Sequence, residues 1–452
     1  MTQVLRAPAT ALSSPAALGV EPNPAFVDQG VGIVASGFRP GSRVTLQAET
    51  RDDLGRRWKS EGDFLADAAG TVDVRRHEPV AGSYRGVSAM GLFWSMTLAE
   101  PAGAASSIFA KTTSRPEEVF ISAQVDGRIV SVVTLERIFL APGTIARDLT
   151  IDGANPNSAP VTIGRLFIPA GIARPPVVIV LSGSGGGFDV DKAAVLSRHG
   201  FATFALAYFG IDPLPRWLNR IPLEYFESAM AWLRAQPEID VQRVGMLAVS
   251  RGAELALLLA ASSPDIRAVV AYAPSGVAWA ASGRDKTTGE FIPCWTRGGQ
   301  PVPFAPLPLR GFMLRSAFPV AAMKRPVLFR NLFRAGLRNR LAIEQAAIRV
   351  ENMRGPVLLV SGGDDHLWPA AEMSEAILVR LKRNNFAHAA ERLHYPAAGH
   401  MLRYPFLPTT PRVSSNKHLR GAKFSFGGNP EADAAAQENA WFRSIAFLQK
   451  HL

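Results

Sequence analysis

Six continuous apolar runs, separated by stretches with helical spacing, constrain the fold of this 452-residue chain more than any other feature. The runs occupy residues 175–183, 201–209, 243–250, 266–274, 356–362 and 390–396. Uninterrupted apolar runs of this length are typical of strands that are buried on both faces. Because they alternate with helical stretches, we predict a mostly parallel, doubly wound α/β sheet.

The first third of the chain follows a different pattern. Between residues 17 and 137, short runs of β-branched and aromatic residues alternate with turns such as RPGS and DDLG. Strands this short, at this spacing, are typical of an antiparallel β-sandwich. We therefore predict an immunoglobulin-like, all-β sandwich over 17–137 and the doubly wound domain over 138–452.

One long interval interrupts the alternation of strands and helices. Residues 277–354 separate two predicted strands by nearly eighty residues, which is far more than a crossover helix needs. A long insertion at the carboxyl end of a strand commonly forms a lid over a site. We predict a lid or cap in this interval.

The predicted lid carries most of the excess positive charge of the chain. The formal net charge is +11, and residues 281–354 hold thirteen Lys and Arg against four Asp and Glu. Such a concentration is expected where a segment meets an anion, for example phosphate, nucleic acid or a membrane surface. A solvated basic surface would have the same composition, so both interpretations stay open at this point.

Ser250 lies where the predicted strand 243–250 meets a helical run that begins at Arg251. A nucleophilic serine needs exposure, a neighbouring base and donors for the oxyanion, and a sharp strand-to-helix turn supplies the exposure. Such a turn requires small residues two before and two after the serine. Ala248 and Gly252 fill these positions, with Ala in place of the usual first Gly. The same residues also fit a serine that only caps the helix.

An acid and a histidine follow later strands in the order expected for an α/β-hydrolase triad, which runs Ser, acid, His along the chain. Asp364 and Asp365 follow the strand 356–362, and we prefer Asp365 because of its spacing to the neighbouring Gly and Pro. Either residue could instead cap a turn. His400 follows the last strand through a short turn of small residues and is the predicted base, with His366 as its rival.

A Gly-rich stretch after the first of the six strands, SGSGGGFDVD, suits an oxyanion hole. Its backbone amides can converge without obstruction by side chains. Such holes normally combine an amide after the nucleophile with one after an early strand, so we predict the N–H groups of Arg251 and Ser184 as donors. A dinucleotide-binding fingerprint fits poorly, because Phe188 stands where the third glycine of G-x-G-x-x-G belongs.

Taken together and in this order, these motifs resemble the family that joins type I acyl-CoA thioesterases with bile acid-CoA:amino acid N-acyltransferases. The first domain carries the resemblance in SGFRPGSRVTLQAETRDDLGRRWKSEGDFLADAAGTVDV and GSYRGVSAMGLFWSM. The second carries it in SGSGGG, GFATFALAYFG, VSRGAELAL, GGDDHLWP and YPAAGHM. The likeness therefore covers both predicted domains.

The resemblance implies an acyl-CoA substrate and assigns the triad to Ser250, Asp365 and His400. Members that conjugate acyl groups to amines characteristically have Cys where this chain has Ser250, so the serine favours hydrolysis. The implied enzyme is an acyl-CoA thioesterase, a serine hydrolase that releases free fatty acid and CoA. The resemblance implies no cofactor and no metal, and CoA enters only as part of the thioester substrate.

The same resemblance implies that the basic lid binds the phosphate groups of CoA. CoA carries several phosphate charges, and the planar guanidinium group of Arg pairs with phosphate better than Lys does. Eleven of the thirteen basic residues in the lid are Arg. We predict that Arg334, Arg338 and Arg340 contact the substrate.

Other activities fit part of the same pattern. An acyl-CoA:amino acid N-acyltransferase would pass the acyl group to an amine, and a carboxylesterase or dienelactone-hydrolase-like enzyme would cleave esters without CoA. A non-catalytic scaffold or a nucleic-acid binder would leave the ordered triad accidental. We therefore expect a small-molecule partner and no nucleic acid, while the oligomeric state has no signal in the sequence.

The N-terminal sequence and the cysteine content favour a cytoplasmic location. Ser, Thr and Pro interrupt any apolar core of a signal peptide in the first twenty residues. No apolar run approaches about 18 residues, so no transmembrane segment is expected. The lone cysteine, Cys294, excludes an internal disulfide and suits a reducing compartment.

Overall fold

The computed structural model of the chain describes residues 12–100, 108–153, 159–416 and 422–452. Its first part consists of β1 (Leu12–Glu21), β2 (Ala25–Phe26), β3 (Gly32–Phe38), β4 (Arg43–Arg51), β5 (Arg57–Leu65), β6 (Val72–Asp73), β7 (Ala81–Gly82), the helical turn α1 (Gly91–Trp94), β8 (Thr97–Leu98), β9 (Glu117–Val125) and β10 (Arg128–Ile138). The strands form two mostly antiparallel sheets, in the orders β1-β3-β6 and β2-β10-β9-β4-β5-β7, with β8 beside β5. This arrangement confirms the predicted all-β sandwich.

Alternating burial along the strands forms the core of the sandwich. In β4, Val44, Leu46 and Ala48 are fully buried, whereas the residues between them are half-buried. This period of two is what a strand with one face in a core requires. The last strand, β10, ends at Ile138, so the boundary predicted at 137–138 falls on its final two residues.

The second part is built on one eight-stranded sheet. Its strands are β11 (Ile145–Ile151), β12 (Val161–Ile168), β13 (Pro176–Leu181), β14 (Ala202–Leu206), β16 (Asp240–Val249), β17 (Ile266–Tyr272), β22 (Val357–Gly362) and β23 (Ala390–Tyr395). The spatial order is β11-β12-β14-β13-β16-β17-β22-β23, with antiparallel pairing of β11 to β12 and of β12 to β14 and parallel pairing elsewhere. All six predicted strands are present, and the doubly wound, mostly parallel α/β sheet is confirmed.

Helices cover both faces of this sheet. They are α2 (Val190–Ser197), α3 (Glu224–Arg234), α4 (Arg251–Ser262), α9 (Ala370–Arg383) and α10 (Pro430–His451). Alternate strand residues belong to two apolar clusters: Val180 and Leu247 pack with α2 and α10, whereas Ile179 and Met246 pack with α3, α4 and α9. Because β13, β14 and β22 are buried on both sides, their sequences read as continuous apolar runs. The run 390–396 was also expected to be buried on both faces, but its strand β23 lies at the edge of the sheet and its residues are half-buried or exposed.

A long insertion lies between β17 and β22. It contains β18 (Ala280–Arg284), β19 (Phe291–Pro293), β20 (Trp295–Arg297), β21 (Gln300–Pro301), α5 (Leu309–Phe312), a π-helical turn Met313–Ala317, α6 (Phe318–Ala322), α7 (Arg330–Leu337), α8 (Arg340–Gln345) and a 3-10 turn Val350–Asn352. Upstream, β15 (Ile221–Pro222) pairs with β20; downstream, β24 (Val413–Asn416) and β25 (Ala422–Ser425) form a hairpin. The insertion packs into an apolar cluster around Trp279 and Phe312, to which Trp368 and Met373 contribute from outside the insertion.

The sandwich and the sheet domain share a buried polar contact at Asp28. This carboxylate, 1% exposed, accepts hydrogen bonds from Nε of Arg198 at 2.7 Å and Nε1 of Trp441 at 2.9 Å, and lies 2.7 Å from Nε2 of His199. Burial alone would raise the pKa of Asp28, but the bond to His199 and the charge of Arg198 lower it overall. The contact fixes α2 and α10 against the first domain.

Candidate active site

Ser250 occupies the sharp turn between β16 and α4. Its backbone has φ 58° and ψ −120°, a conformation that residues other than Gly adopt only at a cost of order 1–3 kcal/mol. An added Cβ at Gly252 would lie 2.2 Å from the carbonyl oxygen of Ser182, so the turn needs glycine there. Within the described structure the Ser250 side chain makes no capping hydrogen bond to α4. The helix-cap interpretation therefore lacks the bond on which it depends.

His400 and Asp365 form a buried hydrogen-bonded pair. Nδ1 of His400 lies 2.6 Å from Oδ2 of Asp365, and the two side chains are 6% and 2% exposed. The other carboxylate oxygen accepts from the backbone N–H groups of Leu367 at 2.8 Å and Trp368 at 3.1 Å. Because an ionised carboxylate only accepts, Nδ1 of His400 donates to Asp365, and in a neutral imidazole this bond leaves Nε2 as the acceptor.

Asp364 and His366, the rival acid and base, hold the surrounding loops instead. Oδ1 of Asp364 lies 2.9 Å from Nε2 of His366. The other ring nitrogen of His366 lies 2.9 Å from the hydroxyl of Ser425. Neither nitrogen of the His366 ring is therefore left without a hydrogen-bond partner.

The three predicted triad residues share one edge of the sheet. Ser250 directly follows β16, Asp365 follows β22, and His400 follows β23. These strands lie in the parallel part of the sheet, in the order β16-β17-β22-β23, so their carboxyl ends meet at the same edge. This is the edge where ligands bind in open α/β sheets.

The Gly-rich loop after β13 lies directly against Ser250. A Cβ added at Gly183 would come within 3.2 Å of Cβ and 3.8 Å of Oγ of Ser250. The loop is held in shape by bonds from the Ser182 hydroxyl to the Gly187 carbonyl oxygen, 2.9 Å, and from Gly187 N–H to the Phe209 carbonyl oxygen, 3.0 Å.

The two residues whose backbone amides are predicted as oxyanion donors come directly after the residues of this contact. Ser184 follows Gly183 in the loop, and Arg251 is the first residue of α4. Among the hydrogen bonds found for the described residues, none is donated by the backbone N–H of Ser184 or Arg251. A helix N-terminus also contributes positive potential where an oxyanion would form.

The side chain of Arg251 has a role that the sequence analysis missed. It is buried and forms an ion pair with Glu254, Nη1 to Oε2, at 2.8 Å. Oε1 of Glu254 accepts from Nε1 of Trp295 at 2.8 Å, and Nη2 of Arg251 donates to the carbonyl oxygen of Trp279 at 2.9 Å. Both tryptophans belong to the insertion. A charged pair three residues apart in an otherwise apolar helix was the sequence signal for this anchor.

Cys294 lies in the same buried cluster. Its thiol accepts a hydrogen bond from Nη2 of Arg251. Burial raises the pKa of the Cys294 thiol to about 11, although the Arg251 charge opposes this. The thiol therefore stays protonated at neutral pH and is unsuited to act as a nucleophile.

A row of aromatic rings connects the predicted lid to His400. Trp279 and Phe333 contact edge to face with ring centroids 5.2 Å apart, Phe333 and Trp368 at 5.5 Å, and Trp368 and His400 at 6.3 Å. Because Phe333 lies on α7, this helix packs over the loop that carries Asp365. The insertion therefore borders the candidate site with apolar side chains.

The three lid arginines predicted to contact substrate lie on the exposed surface around α7. Arg334 donates from Nε to Oε1 of Glu372 at 2.8 Å. Arg338 and Arg340 are also exposed. Among the described residues, no contact joins these arginines to the serine, histidine and aspartate above. Arg334 follows Phe333 directly in α7, so the helix combines an apolar contact toward the site with a charged outer surface.

The described residues contain no candidate metal site and no candidate membrane span. Within 12–100, 108–153, 159–416 and 422–452, no three His, Cys, Asp or Glu side chains cluster so that they could hold a metal ion. In the same part of the chain, no helix is both long and apolar enough to cross a membrane.

Similarity to known proteins covers nearly the whole length of the chain. The profile described as "Acyl-CoA thioester hydrolase/BAAT N-terminal region" matches residues 28–151, and that described as "BAAT / Acyl-CoA thioester hydrolase C terminal" matches residues 221–452. The chain is 30% identical to the peroxisomal succinyl-coenzyme A thioesterase of Mus musculus, over 97% of each chain. It is 32% identical to the mitochondrial acyl-coenzyme A thioesterase 2 of Mus musculus, over 97% of this chain and 90% of that one.

A solved structure is similar at a lower level. The acylaminoacyl peptidase of Pyrococcus horikoshii superposes with a TM-score of 0.40 and 11% identity, over 97% of this chain and 61% of that one. The family assignment rests on the sequence matches, because the C-terminal profile by itself covers half of the chain and the relatives match almost all of it. The chain therefore belongs to the acyl-CoA thioester hydrolase/BAAT family.

Proposed function

We propose that this protein hydrolyses fatty acyl-CoA to free acid and CoA through a triad of Ser250, His400 and Asp365. The observation that carries the proposal is the buried His400–Asp365 pair, which shares one sheet edge with the strained Ser250 turn. A serine, a histidine and an acid at such an edge are the groups that acyl transfer through a covalent ester requires. The family membership and the printed names of the two relatives support a CoA thioester as the substrate.

The mechanism follows from the hydrogen bond between His400 and Asp365. In the neutral ring, Nε2 of His400 takes the proton of Ser250 as the serine oxygen attacks the thioester carbonyl. Asp365 holds the imidazole in orientation and stabilises the imidazolium that forms. The CoA thiolate departs with a proton from His400, and a water activated by the same ring then hydrolyses the acyl-serine.

The backbone amides of Ser184 and Arg251 would hold the oxyanion in both steps. Ser184 follows Gly183 and Arg251 follows Ser250 in the chain, and Gly183 lies against Ser250. Removal of one such donor typically costs about 10²–10³-fold in kcat. Under this proposal the shape of the loop contributes to the rate about as much as a catalytic side chain.

The proposal is tested by mixing the purified protein with palmitoyl-CoA and a thiol-detecting dye. We expect release of one free thiol and one molecule of palmitic acid per turnover in water alone. An amino acid added as acceptor distinguishes the alternative acyltransferase, which would form an amide. Turnover of short uncharged esters with no turnover of palmitoyl-CoA would indicate the CoA-independent esterase instead.

Replacing Arg334, Arg338 and Arg340 together with Gln is expected to raise the KM for palmitoyl-CoA by about 10-fold. The reason is that exposed charge pairs contribute up to about 1 kcal/mol each, and CoA phosphates would lose three possible partners. The KM for a small uncharged ester should stay unchanged. Steady-state kinetics with both substrates measure the difference.

A matched control removes three exposed arginines from the sandwich, Arg39, Arg76 and Arg128. This variant has the same change in net charge but alters a surface away from α7. Its KM for palmitoyl-CoA should equal that of the wild type. If both triple variants raised the KM equally, the lid arginines would have no specific role.

The location and the cofactor requirement belong to the same proposal. We propose cytoplasmic hydrolysis without a cofactor, as expected from the sequence. Two relatives carry the words peroxisomal and mitochondrial in their printed names. Fractionation of cells that express the full chain measures the location directly.

A further inference from the structure

The C-terminal helix α10 contacts the chain on both sides of His400. Oδ1 of Asp433 accepts from the backbone N–H of Gly399 at 2.7 Å. Nε2 of Gln437 donates to the carbonyl oxygen of Met401 at 2.9 Å. Because Asp433 and Gln437 are four residues apart, their side chains project from the same face of the helix. One helix face therefore holds the residue before His400 and the residue after it.

Both side chains are buried, which makes these bonds costly to lose. Asp433 is 5% exposed and Gln437 is 2% exposed. A buried polar group that loses its partner costs about 1–3 kcal/mol. The backbone N–H of His400 itself donates to the carbonyl oxygen of Phe426 at 2.9 Å. The position of the His400 backbone is thus determined from three directions.

We propose that Asp433 and Gln437 are positioning residues that set the distance between the His400 ring and Ser250. The proposal rests on the triad of the proposed function and adds two residues to it. The two carboxylates have different roles in this arrangement. Asp365 orients the imidazole ring, whereas Asp433, with Gln437, fixes the backbone from which the ring extends.

The need for such positioning follows from the chemistry of proton transfer. A general base must lie within about 2.6–3.2 Å of the proton donor in the reacting complex. His400 lies on a loop after β23, so the hydrogen bonds between strands of the sheet do not hold its backbone. A displacement of about 1 Å at a reacting group can cost about 10²-fold in rate. Two buried hydrogen bonds from one rigid helix limit such displacement.

Three variants test the proposal in the full-length protein. Asp433→Leu removes the acceptor for Gly399, whereas Asp433→Asn retains an acceptor oxygen without the charge. Gln437→Met keeps the volume and loses the donor to Met401. For palmitoyl-CoA we expect kcat to fall about 10- to 100-fold in Asp433→Leu and Gln437→Met, with KM within about twofold of wild type. Asp433→Asn should restore kcat to within about threefold of wild type.

A second measurement tests the positioning role without depending on the proposed substrate. Fluorophosphonate probes label an activated serine, and their rate depends on Ser250 and its base but not on CoA. The labelling rates of the variants should follow the order of their kcat values. If the wild type were labelled but did not cleave palmitoyl-CoA, the proposed substrate would be wrong and the positioning role would still be tested by labelling.

Glu438→Leu is the matched control, because Glu438 is an exposed carboxylate on the same helix. It should retain wild-type kcat and labelling. Wild-type rates in folded Asp433→Leu, or equal losses in Asp433→Leu and Asp433→Asn, would overturn the proposal. If Asp433→Leu did not fold, Gln437→Met would decide by the same criteria, since its volume matches glutamine.

The pH dependence of stability tests whether Asp433 is buried as described. Burial raises the pKa of the Asp433 carboxyl group from 3.8 to about 7. The hydrogen bond from Gly399 and the charge of Arg412 oppose this rise, whereas the charges of Asp364 and Asp365 add to it. The stability of the wild type relative to Asp433→Asn should therefore be highest below pH about 4 and fall as the pH rises to about 7. A constant difference over this range would show a solvated carboxyl group and contradict the contact with Gly399.

Discussion

Replacing Ser250 with alanine is expected to lower kcat for palmitoyl-CoA by about 10³-fold or more. The substitution removes the attacking oxygen and leaves only the binding and oxyanion contributions, which alone account for about 10³–10⁴-fold over water in serine hydrolases. Because the change deletes one hydroxyl group, the thermal midpoint should stay within a few degrees of wild type. Thiol release and a thermal melt measure the two quantities on the same preparation.

Ser262→Ala provides the control for this experiment. Ser262 lies at the other end of α4, where its hydroxyl bonds to the carbonyl oxygens of Leu258 and Leu259. It is exposed, so its loss should leave kcat unchanged. Retention of more than a tenth of the activity in Ser250→Ala would rule out Ser250 as the nucleophile.

Replacing Glu254 with leucine is expected to destabilise the protein by about 3–5 kcal/mol, because it leaves the guanidinium of Arg251 buried without its countercharge. Burial raises the pKa of the Glu254 carboxyl, and the charge of Arg251 opposes this. The side chain also accepts bonds from Trp279 N–H and Trp295 Nε1. Its loss should therefore loosen the insertion and lower the thermal midpoint.

The exposed pair of Arg297 and Glu227 serves as the comparison. Its atoms lie 3.3 Å apart, with the side chains 48% and 61% exposed, and such pairs contribute about 0–1 kcal/mol. Glu227→Leu should thus change the thermal midpoint little. Equal losses in the two variants would indicate that Arg251 is solvated or paired differently in solution.

Most strands of both domains could be predicted because the burial of a strand determines which of its positions are apolar. A strand covered on both faces, such as β13, must be apolar at every position, and a strand of the sandwich, such as β4, must alternate. The strands β11 and β12 were not predicted. The residues of the edge strand β11 are half-buried or exposed, so its sequence resembles a loop. In β12, Gly164 and Arg165 interrupt the apolar run.

The candidate triad could be predicted for a different reason. Ser250, Asp365 and His400 each follow a recognisable strand, and the carboxyl ends of parallel strands meet at one edge. The helix α10 offered no such signal, since its contacts with the His400 loop depend on tertiary packing. Asp433 and Gln437 therefore could be identified only from coordinates. The same holds for the partners of Arg251 in the insertion.

The buried carboxylate of Asp28 affects whether the two domains can be produced as separate fragments. Its three partners, Arg198, His199 and Trp441, all belong to the second domain. A fragment that starts after β10 would present those groups to water together with the apolar surface around them. We therefore expect such a fragment to aggregate. Exchange of the sandwich between relatives would therefore have to carry with it the surface that contacts the second domain.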